Sequence, residues 1–389
     1  MDSFEFMSPT KFILDRDADK LCGKEVKRYS DRVLFVHYGD GYTYDSGLYQ
    51  RIIDALKEAE VKCFELSGVE PNPKVDLVRK GIKVCQEEKI GCVLAVGGGS
   101  VIDTAKAVAI GVEYEGDVWD FYTKKAIPQA ALPIGTVMTL PATGSEGSNG
   151  SVLTNPQTGE NLDVMSELLR PSFTLMNPDL TLTIPRRQTG FGIIDMFSHV
   201  MERYFSSSVD TVLTDHMCEG VMRSIIINAN RVMEDLQDYN ARAELMWTAI
   251  IAHNGLLATG RNQDWATHGM GAQLSAKYNA VHGATLSILF PCWASYVYEE
   301  NLSRFVQFAN RVFDVEVDFY DQKRTALEGI SRLKEFFHLV GGPATLAEIG
   351  VNDDTQLAEM AKDACRFGDI GGLKSLKAED VERIYRLAL

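Results

Sequence analysis

The sequence predicts an α/β domain with a parallel sheet followed by an all-α domain, and three observations lead there. Through the first half, β-branched apolar runs alternate with amphipathic stretches of about ten to fifteen residues, the pattern of βαβ units. Strand signals stop after "TLTIP" (181–185), beyond which apolar residues recur at helical spacing. The 389 residues exceed what one hydrophobic core usually holds, so two domains are expected.

Taken in order, "RVLFVHYG" reads as a strand and "GLYQRIIDALKEA" as its helix. "KCFELSG" is followed by the helix "KVDLVRKGIKVCQEEK", and "GCVLAVGGGS" by "VIDTAKAVAIGV". A parallel sheet of such strands needs helices on both faces. Pro185 restricts the residue before it and marks the boundary, giving an α/β domain over 1–184 and a helical domain over 185–389. Within the second, "TDHMCEGVMRSIIINANRVMEDL" and "RTALEGISRLKEFFHLV" are amphipathic helices. An active site is expected in the cleft between the two.

Net charge is −15, from 39 basic and 54 acidic residues, so nucleic acid and anionic membranes are repelled on average. A local basic pocket for one phosphate is compatible with that balance. The start "MDSFEFMSPTKFILDRDADK" lacks a basic and then apolar leader, and no apolar run approaches the roughly twenty residues of a membrane span. A cytoplasmic, enzyme-like chain is expected. The seven cysteines (Cys22, Cys63, Cys85, Cys92, Cys218, Cys292, Cys365) form no C-x-x-C pair and are odd in number. Neither a disulfide framework nor a thiolate metal site is indicated, so any metal falls to histidines and carboxylates.

"CVLAVGGGSVIDTAKAVA" places Gly97, Gly98 and Gly99 between a buried strand and a helix start. Glycines admit close approach of a ligand to the backbone, and a helix N-terminus attracts phosphate. Ser100 is a candidate helix cap or phosphate partner. Ile102 stands where G-x-G-x-x-G has its last glycine, and a tight turn made glycine-rich for packing is the alternative reading. Three further polar loops follow strand-like runs: "HYGDGYTYDSG", "EPNP" (70–73) and "TLPATGSEGSN" (139–149). Open parallel sheets bind ligands at the carboxyl ends of their strands, and a dinucleotide is long enough to touch all four loops.

Asp195 and His199 stand at i and i+4 in the helical "TGFGIIDMFSHVMERYF", so both project from one face. That geometry suits two ligands of one ion, and it also suits a buried salt-bridged pair. His268 and His282 in "WATHGMGAQLSAKYNAVHG" pose a distance problem, since a straight helix would hold them roughly 21 Å apart. The Gly and Asn signals between them allow a turn that brings His282 back. The four side chains then meet, and three imidazoles with one carboxylate suit Fe(II) or Zn(II) with an open position better than Mg or Ca. His37, His216, His253 and His338 are left as structural histidines.

With "FEFMSPTK", "GGGSVIDTAK", "LPATGSE", "NPDLTLTIP", "DMFSHVMERY", "WATHGMGAQLS" and "LKEFFHLVGGPATLAEIGV" in this order, the chain resembles the iron-containing alcohol dehydrogenase family over nearly its whole length. Its butanol dehydrogenase and broad aldehyde reductase branch is the part it resembles. The resemblance implies a Rossmann-like NAD(P)-binding domain, a helical metal-binding domain in the dehydroquinate synthase-like architecture, and Fe(II) or Zn(II) in the cleft. It makes Asp195, His199, His268 and His282 the metal ligands, catalytic through the metal. Gly97, Gly98, Gly99, Ser100 and Asp103 match the pyrophosphate and nicotinamide loop; Thr139, Leu140, Thr143 and Ser145 match the second cofactor loop. Asn72, Leu180 and the turn Gly39, Asp40 and Gly41 complete the cofactor set, and a homodimer is implied.

Three departures stand out. Many relatives carry a candidate proton-carrying histidine four residues after the third ligand, where this chain has Ala272. A lysine near the cofactor ribose is replaced by Asn161. At the adenosine 2′ position, the carboxylate of Asp40 favours NAD while Gly41 leaves room for NADP, and the reading leans to NADP with the branch. The expected reaction moves a hydride between NAD(P)H and an aldehyde or primary alcohol, the metal polarising the substrate oxygen. The alternatives are a polyol dehydrogenase or a dehydroquinate synthase-type lyase on the same fold, or a non-catalytic nucleotide- or metal-binding relative.

Overall fold

Eight strands precede the helical half: β1 (Lys11–Leu14), β2 (Arg32–His37), β3 (Lys62–Leu66), β4 (Cys92–Gly97), β5 (Ile134–Met138), β6 (Gly150–Asn155), β7 (Glu160–Met165) and β8 (Phe173–Met176). The computed structural model describes every residue except Asp40, which therefore lies outside the described residues. Six strands form one all-parallel sheet in the order β1-β8-β5-β4-β2-β3, and β6 and β7 pair as a separate antiparallel hairpin. Alternation along the central strands sends Val33, Phe35, Cys92 and Leu94 to one face, packed with Cys22, Ile52 and Leu56. Leu34, Val36, Val93 and Ala95 turn to the other, against Val78, Ile102 and Val108. Burial on both faces explains why β2 and β4 read as near-continuous apolar runs.

From β2 the chain steps outward to β3, then returns to β4 beside β2 and continues to β5 and β8 on the other side. The reversal puts a topological switch point between the carboxyl ends of β2 and β4, where doubly wound sheets bind ligands. Three features were not read from the sequence. β1 is a four-residue edge strand, β6 and β7 form a hairpin outside the main sheet, and a short helix, Gly41–Asp45, occupies part of the expected loop after β2.

The chain divides into two compact units, Met7–Thr183 and Ile184–Leu389 together with Met1–Phe6. The amino end joins the helical unit through Asp2 N–H, which donates to Gly260 O at 2.9 Å. That unit is built around the helix Arg186–Tyr204, every residue of which from Thr189 onward is buried. Phe197, Phe205, Phe290, Trp293 and Phe305 lie in its aromatic core. All seven cysteines are free thiols, and burial pushes those of Cys22, Cys85, Cys92 and Cys218 up to about 12. Among the described residues no helix is long and apolar enough to cross a membrane.

Candidate metal centre and dinucleotide loops

Asp195 and His199 share the helix Arg186–Tyr204, His268 lies on Ala266–Tyr278, and His282 opens the next helix, His282–Val297. Between these last two, Asn279 takes the left-handed conformation (φ 51°) that ends a helix and reverses the chain. The result is that Asp195 Oδ1 stands 3.7 Å from His199 Nε2, 3.8 Å from His268 Nε2 and 3.6 Å from His282 Nε2. Asp195, His268 and His282 each offer a ligand atom within 4.8 Å of the others. The His199 ring stacks on that of His268, with centroids 4.8 Å apart.

These separations are too long for hydrogen bonds, and Asp195 Oδ1 and His268 Nε2 are buried with no hydrogen-bond partner among the described residues. Lone pairs buried facing one another are costly unless a cation sits among them. Nitrogen and oxygen ligands about 2.1 Å from one ion stand roughly 3.4 Å apart in a tetrahedron, close to the spacing here. The donor set therefore fits a divalent metal of the iron or zinc kind.

Electrostatics support the same state at Asp195, His199 and His282. Burial, and then the neighbouring His253, hold His199 well below the ordinary histidine range, so its ring is neutral. Burial likewise lowers His282. At Asp195 burial opposes ionisation, but the facing imidazoles outweigh it and hold the carboxyl below the usual carboxylate range. His268 is the exception: burial acts against its charged form, yet Asp195 and Glu202 raise it to about 9, so a metal bound there displaces a proton from Nε2.

Around the ligands stands a wall absent from the sequence reading. Trp265 adopts the left-handed conformation (φ 65°), and its ring lies 5.0 Å from His268 and 5.6 Å from His253. The Arg203 guanidinium sits 4.7 Å over the same ring and donates to His199 O at 2.6 Å. Glu202, 0 % exposed, is a further residue the sequence reading missed. The available signal was its spacing, i+7 from Asp195 and i+3 from His199, which puts all three on one helix face.

In the α/β unit, the loops after β2, β4, β5 and β8 converge. Thr139 N–H donates to Gly97 O (3.1 Å), and Tyr42 Oη–H donates to Leu180 O (2.5 Å). A Cβ on Gly98 would lie 3.1 Å from Tyr38 Oη and 3.2 Å from Leu140 Cβ, and one on Gly99 would lie 2.7 Å from Thr143. Close packing of one loop on another thus requires these glycines. The helix Gly99–Val112 is capped by Gly98 without a side-chain bond, so Ser100 is not its cap. Gly39 has φ 73°, and its N–H donates to His37 Nδ1 at 3.0 Å.

Asp103 turns inward: Ser145 Oγ–H donates to its Oδ1 at 2.6 Å and Val152 N–H to its Oδ2 at 3.1 Å. One turn on, the fully buried Lys106 donates to Ser148 O (2.9 Å), Ser148 Oγ (3.3 Å) and Gly150 O (2.8 Å). Burial pushes its ammonium down to about 8, against the pull of Asp103. Together they tie the 139–149 loop to the glycine-rich turn. Lys106→Met removes three donors and leaves the carbonyls buried, so urea unfolding is expected to show a loss of about 2–3 kcal/mol.

The residues matching known proteins cover both units. Residues 9–178 match the model for iron-containing alcohol dehydrogenase, and 189–389 that for the Fe-containing alcohol dehydrogenase family, C-terminal. The chain belongs to the iron-containing alcohol dehydrogenase family. It is 44% identical to the probable NADH-dependent butanol dehydrogenase 1 of Bacillus subtilis, covering 100% of both chains. It is 31% identical to the NADPH-dependent aldehyde reductase YqhD of Escherichia coli, again over 100% of both. The crystal structure of NADH-dependent butanol dehydrogenase A from Thermotoga maritima superposes with a TM-score of 0.95 at 37% identity, covering 100% of this chain and 99% of that one.

Within this iron-containing alcohol dehydrogenase, the departures from the family have definite places. Ala272 lies half-buried on the helix that carries His268. Asn161 sits on β7, where its Nδ2 donates across the hairpin to Thr154 Oγ1 at 3.1 Å. Asn72 is left-handed (φ 55°), ahead of the bridge between Lys74 and Thr154.

Proposed function

We propose that the chain reduces aldehydes to primary alcohols, and runs the reverse reaction, with a nicotinamide dinucleotide and one divalent iron or zinc held by Asp195, His199, His268 and His282. The observation that carries this reading is the single buried oxygen, Asp195 Oδ1, set within 3.8 Å of three imidazole nitrogens. Residues 1–184 carry the dinucleotide and 185–389 the metal. Gly97, Gly98, Gly99, Ser100 and Asp103, with Thr139, Leu140, Thr143, Ser145, Asn72, Leu180 and the Gly39–Gly41 turn, form the dinucleotide set.

When bound, the metal stabilises the charge that builds on the substrate oxygen as hydride moves. The chain's own contribution is positioning and exclusion of water. Neutral His199 and His282 present lone pairs, ionised Asp195 offsets the cation's charge, and Trp265 walls the histidines. On the other unit, the Asp103 and Lys106 bonds hold the loops in register for the dinucleotide.

For cofactor choice the reading moves from NADP to NADH. Relatives at 36–44% identity are named NADH-dependent, whereas the NADPH-dependent reductase is at 31%. A carboxylate at position 40 repels a 2′-phosphate. The proposal extends to a homodimer, since among the described residues β1 pairs only with β8 and ends the sheet. Purified protein loaded with Fe(II) or Zn(II) is assayed with NADH or NADPH against butyraldehyde and glycerol. Butyraldehyde turnover with a higher kcat/KM for NADH is expected. No aldehyde turnover with either metal refutes the reaction, and an NADPH preference refutes the cofactor choice alone.

A further inference from the structure

Glu202 lies seven residues after Asp195 and three after His199 on one helix face, and is wholly buried. Its bonds all run to the segment that carries the third ligand. Oε2 accepts from Trp265 N–H at 2.8 Å. Oε1 accepts from the Thr267 hydroxyl, from His268 N–H at 3.2 Å, and meets His268 Nδ1 at 2.6 Å. Its backbone carbonyl accepts from Asp264 N–H at 2.8 Å.

We infer that Glu202 is a positioning residue for the metal, setting the tautomer and aim of His268. An ionised carboxylate offers only acceptors, so Nδ1 keeps its proton, and Nε2, which faces Asp195 Oδ1, is the nitrogen whose lone pair a metal would take. The same carboxylate accepts the N–H of Trp265, whose left-handed backbone is a strained conformation for a bulky residue. Trp265 immediately precedes the helix Ala266–Tyr278, so this bond fixes where that helix starts and how His268 leaves it. One side chain on the helix of the first two ligands thereby sets both rotation and protonation of the third.

A glutamine at 202 cannot do this. If its oxygen faces His268, its amide meets the Trp265 N–H, donor against donor; if it flips, it donates to Nδ1 and forces the proton onto Nε2, where no metal can bind. A carboxylate–histidine pair of this kind typically adds about 10–100-fold to metal affinity.

The inference rests on His268 being a ligand, so three full-length variants are compared by competition titration with Zn(II) against a chelator, without reference to turnover. His268→Ala is expected to abolish binding, Glu202→Gln to weaken it about 10–100-fold, and Thr267→Val, which removes one donor to Glu202 but leaves the Nδ1 contact, to keep it within about threefold of the parent. Binding by His268→Ala equal to the parent overturns the ligand reading. Loss with His268→Ala but parent affinity in Glu202→Gln overturns the inference alone, as does an equal loss in Thr267→Val. Should Glu202→Gln fail to fold, the parent decides: 15N-histidine NMR of the zinc-loaded protein must show His268 protonated at Nδ1, and a proton at Nε2 refutes the inference.

Discussion

Asp195→Ala is expected to leave the protein folded but unable to retain metal through dialysis, with aldehyde reduction falling by about 10³-fold or more. Asp195 supplies the one negative ligand, and its Oδ1 is the atom that His199, His268 and His282 all face at 3.6–3.8 Å. Without it, three neutral imidazoles must hold a dication in a buried site, and charge neutralisation is lost along with one bond. The helix itself persists, because its burial from Thr189 to Tyr204 rests on the apolar core and not on this carboxylate. Elemental analysis, circular dichroism and nicotinamide absorbance read the three quantities separately. Stoichiometric metal in a folded Asp195→Ala protein would show that the ligand set lies elsewhere.

Much of this arrangement is legible in the sequence alone. The i, i+4 spacing of Asp195 and His199 specifies one helix face, and the distance between His268 and His282 specifies a reversal, which Asn279 supplies. Periodicity separated the α/β half from the helical half because β2 and β4 are buried on both sides. What escaped notice depends on contacts distant in sequence. Lys106 looks like an ordinary helix lysine until the segment around Ser148 and Gly150 folds over it. Glu202 looks like a surface glutamate until Trp265, Thr267 and His268 close on it. β1 has only four residues, too few for alternation to register, and Ser100 suits a cap by residue type although Gly98 occupies that position. Residue type and spacing reveal faces; they do not reveal which face a remote segment covers.

Gly283→Ala is expected to cost about 3 kcal/mol of stability and to weaken metal binding in what still folds. Gly283 follows the ligand His282 directly, and a Cβ there would lie 2.3 Å from Phe191 O and 2.9 Å from Phe191 Cα. Both are backbone atoms of the helix carrying Asp195, one turn before it, so no side chain can swing away to make room. The two helices are in backbone contact at this point, and that contact sets His282 Nε2 3.6 Å from Asp195 Oδ1. Moving them apart by even a methyl radius therefore strains the core and displaces a ligand together. Gly220 provides the contrast: it lies within the helix Val212–Glu234 with nothing within 4 Å of its would-be Cβ. Gly220→Ala should stabilise by about 0.5–1 kcal/mol through helix propensity and leave metal binding unchanged. Thermal melts and zinc titration of the two variants separate the loss of helix contact from the general effect of adding a methyl group. If Gly283→Ala matches Gly220→Ala in both, the close crossing of these helices does not determine the position of His282.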